Sequence, residues 1–130
     1  MSISFLPVPG IGEVPAGADL AALIGDAIAA AKLTPQAGDI VVVAQKIVSK
    51  AEDRFVDLAT VNPSVEATAL AASTHKDPRL VELILRESEE VVRSKPHVLV
   101  VAHRKGYVMA QAGIDQSNVG DDRALLLPED

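Results

Sequence analysis

Apolar and polar positions alternate in blocks along this chain, and each block predicts an element. Leu20, Leu23, Ile24, Ala27, Ile28 and Ala31 recur at helical spacing behind Asp19, a capping residue. They predict a helix over 20–32 with one apolar face. Asn62-Pro63 and Asp77-Pro78 are two helix starts, each with proline at the first helical position. The first predicts an alanine-rich helix over 63–73, with His75 in the break after it. The second predicts a longer helix over 78–93, with Leu80, Val81, Ile84, Leu85, Val91 and Val92 as its buried stripe. Glu82 and Arg86 stand four apart on it, a modest stabilising pair.

Strand signals occupy the remaining blocks. Residues 2–8 predict a first strand, broken by Pro7, Pro9 and Gly10. Ile40 to Val43 are all β-branched and predict a strand over 39–44 buried on both faces. Residues 54–58 fit either a further strand or an extended exit. His97–His103 and Tyr107–Ala112, joined by Arg104-Lys105-Gly106, form the clearest hairpin. The expectation is an α+β fold: a mixed sheet from the regions 2–8, 39–44, 97–103 and 107–112, with helices packed on it. The apolar run Leu125–Leu127 and the valine-rich strands are expected to seek partners outside the chain.

Composition narrows the function classes. A chain of 130 residues suffices for one domain with a core. A formal net charge of -6 argues against a nucleic-acid surface. Two Phe, one Tyr and no Trp leave little for base stacking. With no cysteine, disulfides and thiolate metal sites are excluded. No basic-then-apolar leader and no run of transmembrane length stand in the sequence, so the expectation is a soluble, cytoplasmic protein with no membrane partner.

Candidate chemistry lies in three stretches. In D-I-V-V-V-A-Q-K-I-V-S-K-A-E-D, from Asp39 to Asp53, an apolar run turns abruptly polar. Gln45, Lys46, Ser49 and Lys50 at the carboxyl end of a buried strand suit a site for anionic oxygens. They equally suit a core strand leaving into a solvated loop. The loop P-G-I-G-E-V-P-A-G, from Pro9 to Gly17, has glycines that let backbone N–H groups approach a ligand. It lacks P-loop spacing and also reads as a surface turn. In A-G-I-D-Q-S-N-V, Asp115, Ser117 and Asn118 cluster within four residues. They fit a hard cation, or a phosphate held through one, and equally an Asx-type turn. The three histidines show no metal spacing, and the serine-hydrolase elbow is absent.

Three strings together carry a resemblance: Q-K-I-V-S-K-A-E from Gln45, K-D-P-R-L-V-E-L-I-L-R-E-S from Lys76, and A-G-I-D-Q-S-N-V from Ala112. With L-L-L-P-E-D from Leu125, they resemble the coenzyme F420-0:L-glutamate ligase family, in order and over nearly the whole chain. The resemblance implies a gamma-glutamyl ligase of deazaflavin cofactor biosynthesis. It would use GTP, Mg2+ or Mn2+, and K+ to add L-glutamate to coenzyme F420-0, and it would form homodimers. It implies nucleotide contacts at Ile11, Gly12, Glu13, Val14, Gln45, Lys50 and Asn118, and a divalent-metal ligand at Asp115. Gln45 departs from members that carry a small hydroxyl residue there. No catalytic side chain is implied. Family members run to about twice this length, some fused to a reductase-like domain. Residues 1–130 therefore read as the N-terminal part of a glutamate-ligase-type fold. The alternative is a noncatalytic module that binds nucleotide or mediates dimerisation.

Overall fold

The structure is a computed structural model that describes residues 2–129. It divides into two units, Met1–Asp53 with Pro128–Asp130, and Arg54–Leu127.

In the first unit α1 spans Leu20–Ala30, and Asp19 Oδ1 accepts the Ala22 N–H at 3.0 Å. The six stripe residues named above are the ones buried or half-buried along this segment, and Ala27 is fully so. The helix stops short of Lys32, which turns left-handed at φ 55°. The second helix, α2, spans Gln45–Ala51 and buries Ser49 and Lys50. This corrects the expectation for the stretch from Asp39. Residues 39–44 form no strand, and neither do residues 2–8. Ile40 and Val42 are each 86% exposed. β-branching suits the pleated backbone, but strand stability comes from cross-strand partners, and within the described residues neither segment acquires one. The polar groups that were expected at a strand end lie on α2 instead. These two segments, with Ile24 and Ile28 of α1, line a groove of about 670 Å3.

The second unit carries the sheets. β1 (Phe55–Asp57) pairs antiparallel with β5 (Arg123–Leu125), Phe55 opposite Leu125. β2 (Ser88–Lys95), β3 (Val98–His103) and β4 (Val108–Ala110) form an antiparallel sheet in that order. The α+β class holds, but every strand pairing among the described residues is antiparallel rather than mixed. The predicted hairpin is β3–β4, and β3 alternates as a half-buried strand should, with Leu99, Val101 and His103 inward.

The helices α3 (Val65–Thr74) and α4 (Pro78–Arg86) pack on the same core. α3 starts two residues later than Asn62-Pro63 suggests, because Ser64 Oγ is the group that accepts the Ala67 N–H. α4 starts as expected under Asp77, but it ends at Arg86, not Arg93. Residues 86–90 read R-E-S-E-E, a polar gap in the apolar stripe. Beyond it Val91 and Val92 sit on β2, an exposed edge strand with two register shifts, not on a buried helix face. Leu125, Leu126 and Leu127 are buried at 2%, 7% and 8% exposure, so this run is not left open to an outside partner.

A buried ion network closes the unit. Glu87, 5% exposed, accepts Arg54 Nη2 at 3.1 Å and Arg104 Nη2 at 2.7 Å. Arg54 Nε also donates to the Leu127 carbonyl at 2.8 Å, so the network ties the beginning of the unit to its end. His103 Nε2 lies 3.6 Å from the Glu87 carboxylate and has no hydrogen-bond partner among the described residues. Burial pulls the imidazole below its ordinary range, which Glu87 only partly opposes.

Candidate functional site

Six of the predicted site residues lie in the first unit. The loop from Pro9 to Gly17 turns at Gly10, φ 88°, and is anchored by Val14, which is 3% exposed. Ile11 is half-buried, while Gly12 and Glu13 are exposed. The Gly17 N–H donates to the Ala51 carbonyl at 2.7 Å and fastens the loop to the end of α2. That fastening places Glu13 against Lys50. Nζ of Lys50 donates to Glu13 Oε1 in a salt bridge whose two side chains differ in burial, 6% exposed for Lys50 and 76% for Glu13. A buried ammonium must keep an anionic or polar partner to offset its lost hydration. Gln45, the first residue of α2, is exposed, and Ala44 at the cap supplies no side-chain bond. The structure thus brings Lys50 to the predicted loop, and Gln45 stands apart from that salt bridge. Ser49, fully buried beside Lys50 in sequence, has an Oγ with no hydrogen-bond partner among the described residues.

Asp115 and Asn118 lie in the second unit. Asp115 exchanges both backbone hydrogen bonds with Leu125, at 2.9 and 2.8 Å. Its Oδ1 accepts the Ser117 N–H and the Ser117 hydroxyl, each at 2.8 Å. This is the Asx-type turn that the spacing allows. Asn118 follows, exposed and left-handed at φ 54°, a conformation asparagine tolerates. Among the described residues no three His, Asp or Glu side chains gather as a metal-binding group. By itself Asp115 could supply only one oxygen ligand to a hard cation, and its Oδ1 is already engaged by Ser117.

The Asp115 loop is held by a device the sequence does not advertise. Arg79 donates to both oxygens of Asp122, at 2.8 and 3.0 Å, and to Asp77 at 2.7 Å. The guanidinium holds the Asp77 carboxyl below its ordinary range, and the two carboxylates push the Arg79 pKa up. The Asp122 carbonyl accepts the Leu58 N–H at 2.9 Å. Arg79 and Asp122 lie 43 residues apart, and only the fold makes them neighbours.

Comparison with known proteins places these residues in context. The family model for F420-0:gamma-glutamyl ligase matches residues 10–130. The chain is 46% identical over 130 residues to the coenzyme F420:L-glutamate ligase of Methanothermobacter thermautotrophicus, covering all of this chain and 52% of that protein. It is 44% identical over 124 residues to the enzyme of the same name from Methanopyrus kandleri, covering 95% of this chain and 47% of the relative. It is 39% identical over 130 residues to that of Archaeoglobus fulgidus, covering 100% and 50%. The chain thus spans about half the length of the curated relatives it matches. No helix among the described residues is long and apolar enough to cross a membrane.

Proposed function

The chain belongs to the F420-0:gamma-glutamyl ligase family, and on that premise we propose that it carries part of the site of a GTP-dependent ligase joining L-glutamate to coenzyme F420-0. Residues 1–130 are the N-terminal part of the ligase domain in this reading, acting in the cytoplasm within a homodimer. The observation that carries it is Lys50, a buried ammonium fixed beneath the glycine-containing loop at a position the family resemblance assigns to nucleotide.

The chemistry asks for such groups. A carboxylate is a poor electrophile. A carboxylate oxygen of coenzyme F420-0 attacks the γ-phosphorus of GTP, and the bond to the bridging oxygen of GDP breaks. The glutamate amine then attacks the acyl carbon, phosphate leaves, the amine loses a proton and an amide remains. Phosphoryl transfer of this kind gains most from positioning and from positive charge over the phosphates. Lys50 supplies a fixed charge. Ile11, Gly12, Glu13 and Val14 shape the loop around the nucleotide, and Gln45 and Asn118 add polar contacts. Asp115 would hold Mg2+ or Mn2+, which, with K+, supplies charge neutralisation over the phosphates when bound.

A second reading has its own support. Among the described residues Asp115 is not joined by two further metal-binding side chains, and Ile40 to Val43 lie largely exposed. By itself the chain would then be a noncatalytic nucleotide-binding or dimerisation module. One experiment separates the two: GTP-dependent formation of glutamylated coenzyme F420-0, measured with this chain and with a family protein carrying the remaining half. Turnover only in the longer protein supports a partial site. Its Lys50→Ala variant should bind GTP more weakly and turn over more slowly, and unchanged kinetics would remove Lys50 from the site.

A further inference from the structure

Two histidines far apart along the chain meet at one corner of the second unit. The ring centroids of His75 and His97 stand 5.1 Å apart, with their planes at 76°. Main-chain bonds fix both positions. His75 is the left-handed residue that ends α3, and its N–H donates to the Ala71 carbonyl. His97 is left-handed in the tight turn from β2 to β3, directly after Pro96, and its N–H donates to the Thr74 carbonyl at 2.8 Å. Helix ends and turns of this kind favour glycine or asparagine, and each here carries an imidazole instead. Thr74 is fully buried and immediately precedes His75, so the turn is fastened to the helix end through core chain. Both histidines are themselves exposed.

Imidazole nitrogens suit the later first-row divalent ions, whereas Mg2+ takes oxygen ligands. Zinc holds such nitrogens at about 2.0–2.1 Å in a tetrahedral arrangement, which sets the centroids of two rings on one ion about 5 Å apart. The observed separation matches that spacing. The broad χ2 preference of histidine lets an exposed ring turn a nitrogen toward its neighbour without moving the backbone. The adjacent cation, Lys76, has its own partner, its Nζ donating to Gln111 Oε1 at 2.6 Å. We propose that His75 and His97 form a two-imidazole site for a late first-row divalent cation, Zn2+ foremost. No third His, Asp or Glu joins them among the described residues, so water completes the coordination. The site differs in ligand chemistry from an oxygen-bound cation at Asp115. Two ligands held at a span set by the fold bind the ion about 10²–10⁴-fold tighter than either histidine does singly. Binding pins the end of α3 to the β2–β3 turn and stabilises the unit by mass action.

The test titrates ZnCl2 by calorimetry into the whole 130-residue chain at mildly alkaline pH, where fewer protons compete for the rings. The ring protons of the three histidines are followed in parallel by NMR. Expected is one Zn2+ per chain, with the His75 and His97 signals moving together while those of His103, fully buried, stay in place. Mg2+ should move neither ring. Asparagine tolerates the left-handed backbone of both positions, so His75→Asn and His97→Asn remove a ligand and keep the turn, which circular dichroism checks. Each should weaken Zn2+ binding about a hundredfold. Unchanged binding in either variant, two ions per chain, or movement of one ring alone overturns the shared site. Absence of Zn2+ binding to the unaltered chain also overturns it, and leaves edge-to-face packing of the rings as the whole of the contact.

Discussion

Gly113 stands two residues before Asp115, and replacing it with alanine tests how tightly the second unit is packed beneath that carboxylate. Its φ is 68°, in the left-handed region, where an L side chain costs about 1–2 kcal/mol. A Cβ there would lie 2.8 Å from Leu127 Cδ2 and 2.9 Å from both Leu127 Cγ and Met109 Cε. Both neighbours belong to packed chain: Leu127 is buried at 8% exposure, and Met109 is on β4. Forcing an extra methyl into such packing costs a further ~1–3 kcal/mol. The lower backbone entropy of unfolded alanine returns about 0.4–1 kcal/mol. The expected destabilisation of Gly113→Ala is therefore about 1–4.5 kcal/mol. Gly106 is the matched control. Its φ is 88°, yet a Cβ there meets nothing within 4 Å. Gly106→Ala should carry the backbone strain alone, about 1 kcal/mol after the same entropic return. Urea unfolding, followed by circular dichroism and by hydrogen exchange of β3 amides, measures both variants. The difference between them, about 1–3 kcal/mol, is the packing of Leu127 and Met109 against the turn. Equal destabilisation of the two variants would refute the reasoning, since backbone strain would then be the whole effect.

Further outcomes are expected at the charged groups. In a family protein carrying both halves, Asp115→Asn should abolish GTP-dependent glutamylation with the melting temperature unchanged, because asparagine serves the turn but loses the charge that holds a cation. Normal metal-dependent turnover in that variant would remove Asp115 as a ligand. His103 should give the second unit an acid-sensitive stability. Its folded pKa lies below the ordinary value of 6.5, so the unfolded chain binds more protons in the interval between the two. Stability is complete above about 6.5 and is lost as pH falls toward the folded value. His103→Gln should remove that slope from a plot of unfolding free energy against pH, and an unchanged slope would place the proton elsewhere. Arg79→Ala should speed hydrogen exchange of the amides around Asp115–Asp122 by more than those of β3, because it unfastens Asp122. Uniform change across the unit would count against a local clamp.

Local chemistry alone accounts for much of what the sequence determines here. Asp19 and Asp77 are capping residues wherever they occur, and the stripe from Leu20 to Ala31 selects one helix face without reference to the rest of the chain. Gly106 and the apolar, β-branched run from Val98 to Val101 specify a hairpin whose two strands are close neighbours in sequence. The strings around Lys50, Lys76 and Asp115 were enough to indicate the family. What needed the tertiary structure is non-local by nature. Ile40–Val43 and Val98–Val101 are nearly alike in composition, yet the first is exposed and unpaired among the described residues while the second is the centre of a sheet. A strand's hydrogen bonds belong to another segment, so no property of its own side chains decides whether it forms. The same reason moved Val91 and Val92 from a predicted helix to an edge strand, since pairing with β3 outweighs a stripe already broken at 86–90. It also explains the charges. Glu13 meets Lys50 across 37 residues and Arg79 meets Asp122 across 43, and ion pairs at those separations exist only once the chain has folded.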